Sequence, residues 1–287
     1  MSIDKQFLTI IKTHNIKTNG EKINVVLDFD NTLVNFEQLR YVYKYIIGSY
    51  ENNKKNSYEY ANSTWYNFLD DFPEIFRPRI FDFLNLLIEL RHLGYIHSVV
   101  LYTNNLGGKK WIDTHIKYIE SKCNLDKNVQ LFNDVIYTYK NHTDQIVDNR
   151  RTSSDKIASD LYSILGVDAN KDSIIFIDDQ IYPEMQRPNI EYIKLIPFQV
   201  QFTKELISER FSNIFGVIDR TMYNTMTRFL SYVETNNQVE FCSKPVTQQD
   251  LVNTGYLFKK FTSSLGNILI ETKTASIENQ SFLNNEE

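Results

Sequence analysis

The sequence predicts an α/β protein with a central, mostly parallel sheet flanked by helices, and three stretches carry that prediction. Val25-Val26-Leu27, Val99-Val100-Leu101 and Ile174-Ile175-Phe176-Ile177 are apolar runs too short for helices and rich in β-branched residues. Strands buried on both faces of a parallel sheet read in this way. Helical spacing lies between them, in Ile80, Phe83, Leu84, Leu87 and Leu90 and again in Ile157, Leu161, Ile164 and Leu165.

Each run ends in polar residues. The first meets Asp28 and Asp30, the second Thr103, Asn104 and Asn105, the third Asp178 and Asp179. Carboxylates beside a dry core are costly unless they are paired or bind a metal. On near-extended chain Asp28 and Asp30 point the same way and Phe29 points back into the packing. In open α/β sheets the carboxyl ends of strands are where ligands bind.

Composition narrows the class. With 287 residues, the chain is long enough for one large domain or a domain plus an extension. Hydrophobic residues at 42% and charged residues at 23% fit a soluble globular protein. A net charge of −5 gives no global basic field of the kind nucleic-acid binding uses, although a local patch stays open. Cys123 and Cys242 lack metal-ligand spacing and read as reduced thiols of an intracellular, cytoplasmic or nuclear protein. No signal-peptide core is expected at the N-terminus, and no run approaches the roughly 20 apolar residues of a membrane span.

Residues 3–18 carry a helical pattern. Phe36, Leu39, Tyr43 and Ile46 predict a helix stopped at Gly48, residues 50–64 a polar loop, and Trp65, Phe68, Leu69 and Phe72 a short helix ended near Pro73. The insert 35–76 reads either as a satellite cluster of aromatics or as a lid over a site. Arg77-Pro78 opens the next helix, with Pro78 in its first turn. Residues 107–122 predict a helix, 131–137 a short strand, 139–152 a loop. Ser153 or Ser154 would cap the helix that ends at Gly166, leaving Lys156 in its first turn, where a cation opposes the helix dipole. Residues 203–234 read as two helices or one interrupted at Gly216, and 246–271 as a further helix before a frayed end.

Asp28-Phe29-Asp30-Asn31-Thr32 resembles the first motif, DxDxT, of haloacid dehalogenase (HAD) superfamily phosphatases. Thr103 stands where the second motif has its hydroxyl. Asp178-Asp179 resembles the acidic fourth motif. The stretch from Arg77 to Asn105 is similar to phosphatases of the RNA polymerase II carboxy-terminal domain. The third motif departs: its Lys-Asp-Leu aligns with Ser159-Asp160-Leu161, so Lys156 lies about one turn early, with Lys140 or Arg151 as substitutes. The polymerase branch also has Asp-Asn where this chain has Asp-Asp. The resemblance covers roughly residues 21–200, implying a Rossmann-like HAD core over 1–200 and a helical extension over 201–287.

That family implies a Mg2+-dependent phosphomonoester hydrolase. Asp28 would be the nucleophile that forms an aspartyl phosphate, and Asp30 the general acid and base. Thr103 and Lys156 would hold the phosphoryl oxygens. Asp28, the Asp30 carbonyl and Asp178 or Asp179 would hold the metal. The expected partner is a phosphorylated substrate, a phosphoprotein or another bulky monoester. A nucleotidase or polynucleotide end phosphatase is the second reading, and a catalytically silent scaffold the third.

Overall fold

The computed structural model of the chain describes residues 9, 20–51, 57–126, 129–214, 220–237 and 239–283. The expected helix over 3–18 lies, apart from Thr9, outside them. Five strands, β1 (Ile23–Leu27), β2 (Ser98–Tyr102), β3 (Asp134–Ile136), β4 (Ser173–Asp178) and β5 (Ile190–Lys194), form one sheet in the order β3-β2-β1-β4-β5. Every pairing is parallel. Val25, Val26 and Leu27 are all completely buried, which accounts for an unbroken apolar run where a half-exposed strand would alternate.

The described helices are α1 (Leu39–Glu51), α2 (Ser57–Asp70), α3 (Ile80–His92), α4 (Lys109–Ser121), α5 (Ala158–Leu165), α6 (Lys204–Asn213), α7 (Arg220–Asn237) and α8 (Gln248–Leu283). Among them none is long and apolar enough to cross a membrane.

The chain divides into two compact units. The sheet unit takes residues up to Leu33, Arg79–Pro197 and Leu251–Glu287; the helical unit takes Val34–Pro78 and Phe198–Asp250. This differs from a division at 200/201. In the helical unit Phe72 meets Phe202 edge-on at 4.9 Å, and Arg210 pairs with Glu74 at 2.8 Å. The aromatics of the insert thus supply the core of a unit that a distant segment completes. In the sheet unit Phe83 of α3 packs on Phe258 and Phe261 of α8, at 5.4 and 5.1 Å.

Several element boundaries depart from expectation. The polar stretch 50–64 is not all loop, because α2 begins at Ser57. Ala61, Trp65 and Phe68 are buried at helical spacing, and that packing outweighs the polarity around them. Gly48 lies inside α1 rather than ending it. Pro78 lies in a turn before α3, and Arg79 takes a left-handed conformation (φ 59°) at the helix N-cap. α5 starts at Ala158 with extended Ile157 as its N-cap, so Lys156 precedes the helix. Ser153 instead accepts the Asp155 amide in a local turn, at 3.1 Å.

Candidate functional site

Strand order places the site. From β1 the chain moves outward through β2 to β3, then crosses back to β4 on the other side of β1. The β1/β4 boundary is therefore a topological switch point, where open sheets form a crevice beyond the strand ends. Leu27 pairs with Ile177 in register, and the Asp28 amide donates to the Ile177 carbonyl at 2.9 Å. Asp28 and Asp178 are thus brought side by side.

The turn after β1 is shaped by its own sequence. Asn31 adopts φ 58°, a left-handed conformation that asparagine tolerates better than most residues. Leu33 N donates to the Phe29 carbonyl at 3.0 Å, closing the turn. Phe29 is completely buried and lies edge-on to His115 at 6.4 Å, the inward direction expected of it. Thr32 Oγ1 accepts the Asp179 amide at 3.0 Å and donates to Asp179 Oδ1 at 3.3 Å. This hydroxyl adds a side-chain tie between the segments that follow β1 and β4.

Lys156 reaches the strand ends from the segment before α5. Its Nζ donates to Asp28 Oδ1 at 2.5 Å and to Asp178 Oδ2 at 2.7 Å, and the side chain is 1% exposed. The Tyr102, Phe176 and Tyr182 rings surround the ammonium at 5.5 to 5.8 Å. Burial opposes the charged form, but Asp28 and Asp178 outweigh it and hold the ammonium above the usual lysine range. Ser159, which the resemblance aligned with the third-motif lysine, is exposed on α5. Asp160 has a local role, accepting the Thr152 amide and hydroxyl at 2.9 and 2.7 Å.

Carboxylate oxygens of Asp28, Asp178 and Asp179 lie within 4.8 Å of one another, the one cluster of this kind among the described residues. Burial raises Asp178 and Asp179, and the Asp28 charge adds to the rise in both. An anionic, all-oxygen donor set with mutual repulsion suits a hard divalent cation such as Mg2+. The Asp30 carboxylate is not part of this cluster. It accepts the Asn105 side-chain amide on both oxygens, at 2.9 and 2.8 Å. Burial and the Asp28 charge push its carboxyl up to about 7.

Thr103 enters indirectly. It is completely buried, and its Oγ1 accepts the Asn105 amide at 3.0 Å. The hydroxyl therefore supports the loop that carries Asn105 to Asp30.

No family model, curated protein or solved structure matches this chain. The geometry of these residues carries the functional argument.

Sequence reading missed Asn105 and Lys194 and kept Arg151 only as a substitute lysine. Lys194 donates from Nζ to the Asp179 carbonyl and, at 2.7 Å, to the Leu195 carbonyl. Its β5 register opposite Asp178 places it there, a pairing that only the fold reveals. Neither substitute takes the place of Lys156. Lys140 reaches Asp144 at 4.0 Å, and Arg151 binds main-chain carbonyls.

Proposed function

We propose that the protein is a phosphomonoester hydrolase of the HAD type that works through an aspartyl phosphate on Asp28. The observation that carries this reading is the buried Lys156 ammonium bridging Asp28 and Asp178 at the switch point, with Asp179 alongside. A nucleophilic carboxylate whose charge is offset by a buried ammonium is what phosphoryl transfer asks for.

Asp28 attacks phosphorus as the bond to the leaving alkoxide oxygen breaks. Asp30, its carboxyl oriented by Asn105, gives that oxygen a proton. Water then attacks the aspartyl phosphate, Asp30 takes its proton, and inorganic phosphate leaves with Asp28 restored. Lys156 holds the phosphoryl oxygens against repulsion by the surrounding carboxylates.

Mg2+ would be held by the carboxylates of Asp28, Asp178 and Asp179, with the Asp30 carbonyl as the further ligand that the HAD resemblance implies. When bound it supplies Lewis-acid polarisation of a phosphoryl oxygen and neutralises charge. The similarity of Arg77 to Asn105 to the polymerase-tail phosphatases supports a phosphoprotein or another bulky monoester as substrate.

The test is hydrolysis of a generic aryl phosphate with and without Mg2+, with Asp28→Asn as control. Metal-dependent turnover that vanishes in the variant is expected. A folded, Mg2+-binding protein without turnover would overturn the reading in favour of a silent scaffold.

A further inference from the structure

Arg151 is a buried cation that the proposed reaction does not use. It is 2% exposed, and its guanidinium carbon lies 4.8 Å from the centre of the Tyr102 ring. Nη1 donates to the Asn104 amide oxygen at 2.8 Å, to the Tyr137 carbonyl at 2.9 Å and, longest, to the Thr103 carbonyl at 3.5 Å. Nη2 donates to the Ser154 and Asp155 carbonyls, both at 3.0 Å. Among the described residues no carboxylate pairs with it. A buried guanidinium committed to main-chain carbonyls and one side-chain amide oxygen is costly to desolvate, and the return is geometric.

These acceptors come from three segments that differ in function. Thr103 and Asn104 follow β2 and lead directly to Asn105, which grips Asp30. Tyr137 follows β3. Ser154 and Asp155 immediately precede Lys156, which is in no helix and has no regular hydrogen-bond ladder to hold it.

We propose that Arg151 is the positioning residue of the phosphoryl-binding half of this site, its guanidinium fixing the loop after β2 and the Lys156 segment at the spacing one tetrahedral oxyanion needs. The role rests on the phosphatase reading and names what holds that site in shape. Lysine cannot replace it, because an ammonium has three donors from one point where the guanidinium spans the segments as a planar fork.

The test compares wild type and Arg151→Lys as full-length chains, with circular dichroism and thermal melting to establish folding. Three quantities are read: kcat and KM on an aryl phosphate, Ki for inorganic phosphate, and Mg2+ affinity by calorimetry. A misplacement of about 1 Å costs on the order of 100-fold. Folded Arg151→Lys is therefore expected to lose about that factor in kcat/KM. Phosphate Ki should rise by a larger factor than Mg2+ Kd, since the guanidinium touches no metal-site residue and reaches that cluster only through Lys156. A folded variant with wild-type Ki and kcat per folded molecule would give Arg151 a purely structural role and overturn the proposal. If Arg151→Lys does not fold, Asn104→Ala takes its place, removing one acceptor at a half-buried position. Faster amide exchange over 152–156 with a raised phosphate Ki supports the clamp, because Asn104 reaches that segment through Arg151. Unchanged exchange there overturns it. A wild type that neither hydrolyses aryl phosphate nor binds inorganic phosphate overturns the phosphatase reading and the clamp together. With a wild type that does both, a failure of the variants to respond overturns the clamp alone and leaves the phosphatase reading standing.

Discussion

Lys156 Nζ lies 2.5 Å from Asp28 Oδ1, and the residue that carries it sits before its helix rather than in it. A lysine on the first turn of α5 would oppose the helix dipole. One residue ahead of the extended N-cap, it is free of that conflict and reaches the strand ends while almost wholly buried.

Lys156→Met should therefore be severely destabilising as well as inactive. Removing one partner of a buried ion pair leaves charge uncompensated and costs about 3–5 kcal/mol. Urea denaturation should show a loss in that range. The double variant Lys156→Met with Asp178→Asn should recover part of it, since one of the facing carboxylates is gone. A single variant as stable as wild type would mean that the three groups are not coupled in solution.

Metal binding should appear as stabilisation of the folded state. A ligand that binds the native chain alone adds about 2.7 kcal/mol at 100 times its Kd. Mg2+ is expected to raise the thermal midpoint of wild type and EDTA to lower it again. Asp179→Asn removes a cluster oxygen charge and should lose most of the rise. Equal shifts in the two proteins would remove Asp179 from the metal site.

The sheet and the acidic strand ends were legible because they obey local rules. A β-branched run that stops at Asp28 or Asp178 states both burial and its limit in consecutive residues. Lys156 was legible by chain order, but the start of α5 was not, because Ser153 and Ser154 both read as caps and Ser153 instead accepts the Asp155 amide. Asn105 and Arg151 carry no such pattern. Their partners are an aspartate 75 residues away and main-chain carbonyls, which any residue type supplies. The helical unit was hidden for a similar reason: Phe72 and Phe202 are distant in sequence and meet only in the fold.

Gly107→Ala should damage the site from a position that touches no carboxylate. A Cβ there would come within 2.7 Å of Trp111 Cδ1 and 2.8 Å of Asn105 Oδ1. The Gly107 amide also donates to that same oxygen at 2.7 Å. Either the loop or Asn105 must move, and Asn105 is what holds Asp30. Overpacking of this kind costs about 1–3 kcal/mol. The expected outcome is a folded variant with kcat reduced, by no more than in Asn105→Ala. Wild-type kcat in Gly107→Ala would show that the loop and Trp111 absorb the methyl without disturbing the Asn105–Asp30 contact.

His115 should make the fold sensitive to mild acid. It is completely buried in α4, with Nδ1 2.6 Å from the Trp111 carbonyl, and burial pushes its imidazolium pKa down to about 3. In the unfolded chain it titrates near 6.5. Above that pH both states are neutral and the residue adds no pH dependence. Below it the unfolded chain binds a proton that the native state refuses, so stability falls by about 1.4 kcal/mol per pH unit until the native group also titrates. At pH 5 the loss is about 2 kcal/mol. His115→Gln keeps a donor for the Trp111 carbonyl but cannot titrate. Urea midpoints of both proteins between pH 7.5 and 5 should diverge, the variant losing less by about one proton's worth of slope. Parallel curves would mean that His115 is protonated in the native state or is not buried as the fold places it.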